Sequence, residues 1–172
     1  IKALEEYFTG TNAETAYLLG CYCGLRINEC YGLKWENVDL KNGTIYIDRQ
    51  MQYQKGVVML VAPKTRNSKR TIYLSDFMQT YFHKIAEQRK KDEEKFAVHR
   101  QQNRKMIQDI DGKMIYSTDL VNCLFDGKIQ TVNSMKYHSR TIKTELGIDF
   151  KFHHLRHTYG TRLAELNTPT HI

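Results

Sequence analysis

The chain has 172 residues, and 26 Lys+Arg against 19 Asp+Glu give it a net charge of +7 with histidine neutral. Its length fits a single domain of about 100–200 residues, and 41% hydrophobic residues with only two prolines exclude general disorder. No run approaches the roughly 20 apolar residues of a membrane span. The opening Ile1-Lys2-Ala3-Leu4-Glu5-Glu6 has neither the basic nor the apolar region of a signal peptide, so a soluble, intracellular chain is expected. Four cysteines, Cys21, Cys23, Cys30 and Cys123, lack the C-x-x-C spacing of zinc sites and read as buried thiols rather than a disulfide framework.

In chain order, Thr11 and Glu14 have capping-box spacing, and a helix through Ala16, Tyr17, Leu18, Cys21 and Tyr22 is expected to stop at Gly24. A short second helix over 26–31 puts Arg26 and Glu29 on one face at i,i+3. Taken alone, that pair is the pattern of a surface salt bridge. After Asn42-Gly43 the period changes. Thr44 to Asp48, Val57 to Val61 and Thr71 to Leu74 are rich in β-branched and aromatic residues and predict three antiparallel strands, with residues 64–70 as the turn between the last two. Ser75 or Asp76 can cap a long helix carrying Phe77, Tyr81 and Ile85 at i, i+4 and i+8, running on as a charged, solvated stretch past Phe96. Asp111-Gly112 breaks the chain, a further helix ends at Gly147, and a last one spans 153–166. The fold class expected is α+β, mainly α: helices around a small three-stranded antiparallel sheet.

The positive charge is grouped. Residues 49–75 hold six cations and no carboxylate; residues 127–144 hold Lys128, Lys136, Arg140 and Lys143 without an acid; residues 150–164 hold Lys151, Arg156 and Arg162 with three histidines. Such stretches follow a phosphate backbone, or form a solvated basic surface. The segment Phe152-His153-His154-Leu155-Arg156-His157-Thr158-Tyr159 is the sharpest feature. On a helix, His153 and Arg156 share a face, so an imidazole and a guanidinium can meet at one oxyanion. His153 and His157 at i,i+4 also have metal-ligand spacing, but no Glu follows the first histidine and Arg156 would set a fixed cation beside the ion. A structural histidine pair is the remaining alternative.

Three motifs occur in order: Gly24-Leu25-Arg26-Ile27-Asn28-Glu29; Pro63-Lys64-Thr65 with Ser68 and Arg70 beyond; and His153-His154-Leu155-Arg156-His157-Thr158. Together they resemble the catalytic domain of the tyrosine recombinases, the phage-integrase family, over essentially the whole chain, with a general likeness to integrases of prophages and conjugative elements of Gram-positive bacteria. The resemblance implies site-specific DNA recombination. A tyrosine attacks a phosphodiester, giving a 3′-phosphotyrosyl link and a free 5′-hydroxyl. Because the bond energy is stored covalently, no cofactor and no metal are needed. Arg26 and Arg156 match the two family arginines that meet charge on the non-bridging oxygens. Lys64 matches the hairpin lysine that protonates the departing 5′-oxygen, His153 matches the first family histidine, and Glu29 matches an acidic residue bracing the first arginine. Arg66, Lys69, Arg70, Lys136 and Arg140 are the cations expected at DNA.

The same resemblance implies double-stranded attachment-site DNA as partner, a tetramer on that DNA, accessory DNA-bending or directionality factors, no membrane partner, and work at the bacterial nucleoid in the cytoplasm. The family pattern calls for a second His or Trp and then the nucleophilic tyrosine, roughly two dozen residues or more beyond Arg156. Residues 1–172 are therefore expected to be the catalytic domain, with the nucleophile beyond Ile172 and the N-terminal DNA-binding domain ahead of Ile1. Tyr159 falls where a core aromatic is expected. Two other readings are a catalytically silent DNA-binding module and a type IB topoisomerase using the same pocket.

Overall fold

Helix α2 (Glu14–Cys23) buries Ala16, Tyr17, Leu18, Leu19, Cys21 and Cys23, and a helix apolar on nearly every side belongs at the centre of a domain. The structure is a computed structural model that describes residues 2–63 and 68–165. Ahead of α2 lies α1 (Lys2–Phe8), and along it packs the last helix, α7 (Phe152–Glu165), numbered in chain order. The approach is close at Gly20, where a Cβ would stand 2.6 Å from the Phe152 ring and 3.0 Å from Leu155. The expected capping box does not form. The Thr11 hydroxyl donates back to the Phe8 carbonyl (2.7 Å), and the Glu14 carboxylate accepts from Gly10 N–H (3.3 Å). The stop at Gly24 is as read: φ is +64°, and the Leu25 N–H returns to the Leu19 carbonyl at 3.2 Å. From there the chain enters α3 (Ile27–Gly32) with Arg26 in extended conformation at its N-cap.

The strand-rich region divides into two sheets. In one, β1 (Val38–Asp39), β2 (Thr44–Ile47) and β5 (Arg70–Tyr73) form an antiparallel sheet in the order β1-β2-β5, with Ile45 opposite Ile72. In the other, β3 (Gln50–Gln54) and β4 (Val57–Val61) make a hairpin about Lys55 and Gly56, both at positive φ as a tight hairpin turn requires. It is extended by β6 (Met106–Gln108) and β7 (Met114–Tyr116) in the order β3-β4-β6-β7. The α+β class and a three-stranded antiparallel sheet are present, but strand membership differs from expectation. Val57–Val61 pairs with Gln50–Gln54 and lies in a different sheet from Arg70–Tyr73, so these two do not form the predicted hairpin.

Ser75 caps α4 (Asp76–Lys95), its hydroxyl accepting from Met78 N–H at 3.4 Å. The buried face of α4 is Met78, Tyr81 and Phe82; Phe77, expected inside, is half exposed and packs on Tyr22, with ring centroids 4.9 Å apart. The chain turns at Phe96 into α5 (Ala97–Asn103), and α6 (Val132–Leu146) ends at left-handed Gly147. Cys21, Cys23 and Cys30 are buried free thiols and Cys123 is partly buried; burial pushes the Cys23 thiol up to about 12. Among the described residues no helix is long and apolar enough to cross a membrane.

A buried ion cluster fastens the link between the two sheets. Arg49, between β2 and β3, donates Nη1 to both oxygens of Asp109 (2.8 and 2.6 Å), and Nε and Nη2 to Asp48 (2.7 and 2.9 Å). Lys34 donates to Asp109 at 2.8 Å and also to Glu36. Burial would raise the Asp109 carboxyl, but the bonds from Lys34 and the Ile110 N–H, with the charges of Arg49 and Lys34, outweigh it and hold the group below the usual carboxylate range.

Candidate active site

The ends of α2 and α3 meet at Gly24–Asn28, and α7 crosses this junction with the histidine-arginine segment. Arg26, at the N-cap of α3, is held twice by Glu29: its backbone N–H donates to Oε2 (2.8 Å) and its Nη1 to Oε1 (3.1 Å). Accepting from the N-cap backbone three residues earlier is one half of a capping box, so the helix start itself orients the pair. Glu29 is only 2% exposed and binds a second guanidinium end-on, accepting from Arg70 Nη1 at Oε1 (3.1 Å) and from Nη2 at Oε2 (2.9 Å). Burial alone would raise the Glu29 carboxyl. The Arg70 fork, the Arg26 N–H and both positive charges outweigh it and hold the group below the ordinary glutamate range.

Arg156 reaches back from α7 and donates Nη1 to the Gly24 carbonyl at 2.7 Å. Its guanidinium is pulled below the usual arginine value by burial first, then by Arg26 and Arg70 nearby. Three guanidiniums thus face one buried carboxylate, an imbalance that an anion would relieve. Beside Arg26 and Arg156 opens a cavity of about 240 Å³ lined by these two and by Leu25, Ile27, Asn28, Gln50, Phe152 and His153. Drug-sized ligands occupy about 300–1,000 Å³, so this pocket suits a small group such as one phosphodiester.

The structure brings Arg26, His153 and Arg156 together on this pocket with Glu29 beneath. His153 is exposed, and its ring meets that of His157 edge to face at 4.4 Å between centroids. Among the described residues no third His, Cys, Asp or Glu joins them in a metal-binding group. Tyr159 packs against Gly24 so tightly that a Cβ there would stand 2.4 Å from its ring, and burial raises its phenol; it is an aromatic wedge between α2 and α7. Arg70, expected at DNA, has its guanidinium on Glu29 and on the Ser68 carbonyl (3.0 Å), so it braces the site from below. Lys69 is exposed beside it, and Lys136 and Arg140 lie on the exposed face of α6, away from the pocket lining. Lys64 and Arg66 lie outside the described residues.

Two pocket residues escaped the reading of the sequence. Asn28 has no local sign of its place beyond membership of the Gly24–Glu29 motif. Gln50 lies on a strand that was not predicted, although Gln50-Met51-Gln52-Tyr53-Gln54 alternates polar and apolar side chains.

Residues 1–172 match the phage integrase family. A tyrosine recombinase XerC-like protein of Caldanaerobacter subterraneus subsp. tengcongensis is 27% identical over 180 residues, covering 98% of this chain and 43% of that protein. The integrase of transposon Tn1549 in complex with transposon right end DNA superposes with a TM-score of 0.70 at 20% identity, over 96% of this chain and 51% of that one. The same integrase in complex with circular intermediate DNA gives 0.70 at 24% identity, over 96% and 54%. The XerA recombinase gives 0.55 at 18% identity, over 96% and 48%. The chain spans less than half the length of the curated relative and about half of each structural neighbour.

Proposed function

The chain belongs to the phage integrase family, and from that premise we propose that it is the catalytic domain of a site-specific DNA recombinase. The observation that carries the reading is the convergence of Arg26, His153 and Arg156 on one small cationic pocket over the buried Glu29. A tyrosine outside residues 1–172 attacks the scissile phosphorus; the bond from its oxygen to phosphorus forms as the bond to the 5′-oxygen breaks. Charge gathers on the two non-bridging oxygens, where Arg26 and Arg156 stand as preorganised donors. His153 donates to the same phosphate or takes the tyrosine proton. Lys64 supplies the proton to the departing 5′-oxygen. Rejoining runs these steps in reverse with the hydroxyl of another strand.

Strand exchange between two duplexes needs four cleavages, which is the reason for a tetramer on double-stranded attachment sites. Accessory DNA-bending or directionality factors, and a place at the bacterial nucleoid in the cytoplasm, belong to the same reading. The test is covalent chemistry on nicked attachment-site DNA. The full-length protein carrying this chain should form a 3′-phosphotyrosyl adduct that survives denaturation. Arg156→Ala should form it about a hundredfold or more slowly, the range for losing one preorganised donor. Duplex binding with no adduct would make the protein a silent DNA-binding module, and relaxation without site preference would make it a topoisomerase.

A further inference from the structure

The pocket has three walls, and the chemistry assigned above uses only two of them. One comes from the start of α3 and one from α7; the third is Gln50, at the beginning of β3. We propose that the Gln50 side-chain amide is a further substrate contact, donating a hydrogen bond to a non-bridging oxygen of the DNA phosphate that Arg26 and Arg156 hold. This rests on the proposed function and adds a residue to the same site.

Three observations support it. First, Gln50 is fixed from both sides along the chain. Arg49 before it is 8% exposed and tied to Asp48 and Asp109, and Met51 after it is 1% exposed in the core. Second, β3 lies directly against the backbone of α3. A Cβ on Gly32 would stand 2.7 Å from the Met51 nitrogen and 2.9 Å from the Gln50 Cα, so the two backbones already touch at the helix whose first turn carries Arg26. The seat of Gln50 against α3 is therefore a main-chain contact, which is the rigidity an oriented donor needs. Third, no protein group in the described structure takes up the Gln50 amide, although its side chain is half-buried at the pocket. An uncharged donor also adds no repulsion to Arg26, Arg70 and Arg156, which already stand close together.

The experiment compares Gln50→Ala, Gln50→Met and Gln50→Glu with the parent in the full-length protein, by single-turnover adduct formation and by binding to the same DNA. Loss of one oriented donor should slow cleavage by about a hundredfold or more in the Ala and Met variants, with affinity changed less than about threefold. Gln50→Glu keeps the shape but turns a carboxylate toward the phosphate, so it should be the slowest of the three. Methylphosphonate DNA, in which a methyl group replaces one non-bridging oxygen, locates the contact. On one diastereomer the parent and Gln50→Met should cleave alike, while on the other the deficit should persist. Parental rates in the Met variant, a Glu variant faster than Met, or an equal deficit on both diastereomers would overturn the proposal. Failure of all three variants to fold would overturn it too, because Gln50 would then be a brace. Normal cleavage by the Gln50 variants beside a dead Arg156→Ala variant would sink this inference and leave the recombinase reading standing. A parent that forms no adduct sinks both.

Discussion

At Glu29 a single carboxylate, almost wholly removed from solvent, accepts from one backbone N–H and two guanidiniums. Taking that charge away leaves Arg26 and Arg70 facing Arg156 without their counter-ion. Glu29→Gln should therefore destabilise this chain by about 1.5–3 kcal/mol, the range for hydrogen bonds to charged groups, measured by denaturant unfolding at neutral pH. The pH dependence follows from the direction of the shift. A carboxyl lowered in the folded state contributes stability above the ordinary glutamate pKa of about 4.3, and that stability is lost as pH falls through the folded value. The parent should lose stability faster than Glu29→Gln on acidification below that point; parallel acid profiles would contradict the buried, ionised Glu29. The Arg26 contact was legible in the sequence because i,i+3 spacing on a helix is a local fact. The Arg70 contact was not, since its 41-residue separation closes only when β5 is laid beside α3.

The same division holds among the elements. Helix ends at Gly24 and Gly147 and the cap at Ser75 follow from side-chain chemistry within a few residues, and they were legible. Strand pairing depends on partners chosen across the chain. The run at 57–61 reads as a strand from its β-branched residues, but nothing local says that it pairs with a glutamine-rich neighbour rather than with 71–74. What positions the site is the packing of α7 on α2, and its tightest point is Gly20. Gly20→Ala would push a methyl group into Phe152 and Leu155, the buried residues on either side of His153 and next to Arg156. Overpacking of this kind costs about 1–3 kcal/mol. The variant should show that loss in denaturant unfolding together with slower adduct formation by the full-length protein. Parental cleavage in a variant that is destabilised as expected would mean that α7 can shift without disturbing the pocket.

For the molecule as a whole, the net charge of +7 and the acid-free stretches gain meaning from where the described cations sit. Some are neutralised inside: Arg70 on Glu29, Lys34 and Arg49 on Asp109. Others remain at the surface, among them Lys69, Lys136 and Arg140. Charge counting could not divide them, because Lys34 and Arg49 find Asp109 across 75 and 60 residues. Duplex binding by this chain should show log affinity falling linearly with log salt, with a slope steeper than about −3, since each phosphate contact contributes about −0.9. A slope near zero, measured by fluorescence anisotropy across a salt series, would mean that the surface cations do not follow DNA. The ordered triple of motifs made the family legible over the full chain, because it depends on a few chemical groups rather than on how the sheets are paired.

The seat of Arg156 is a main-chain carbonyl, and this bears on how such a site is inherited. A side-chain partner can be lost to a single codon change, whereas every amino acid carries a carbonyl oxygen. What heredity must preserve at position 24 is a shape: a left-handed turn, and bare space for the Tyr159 ring. The side chains along α2 answer to the core and to the close contact with α7 at Gly20, but none of them has to supply the partner of this guanidinium. The anchor of the arginine is thus inherited as a turn of backbone rather than as a side chain.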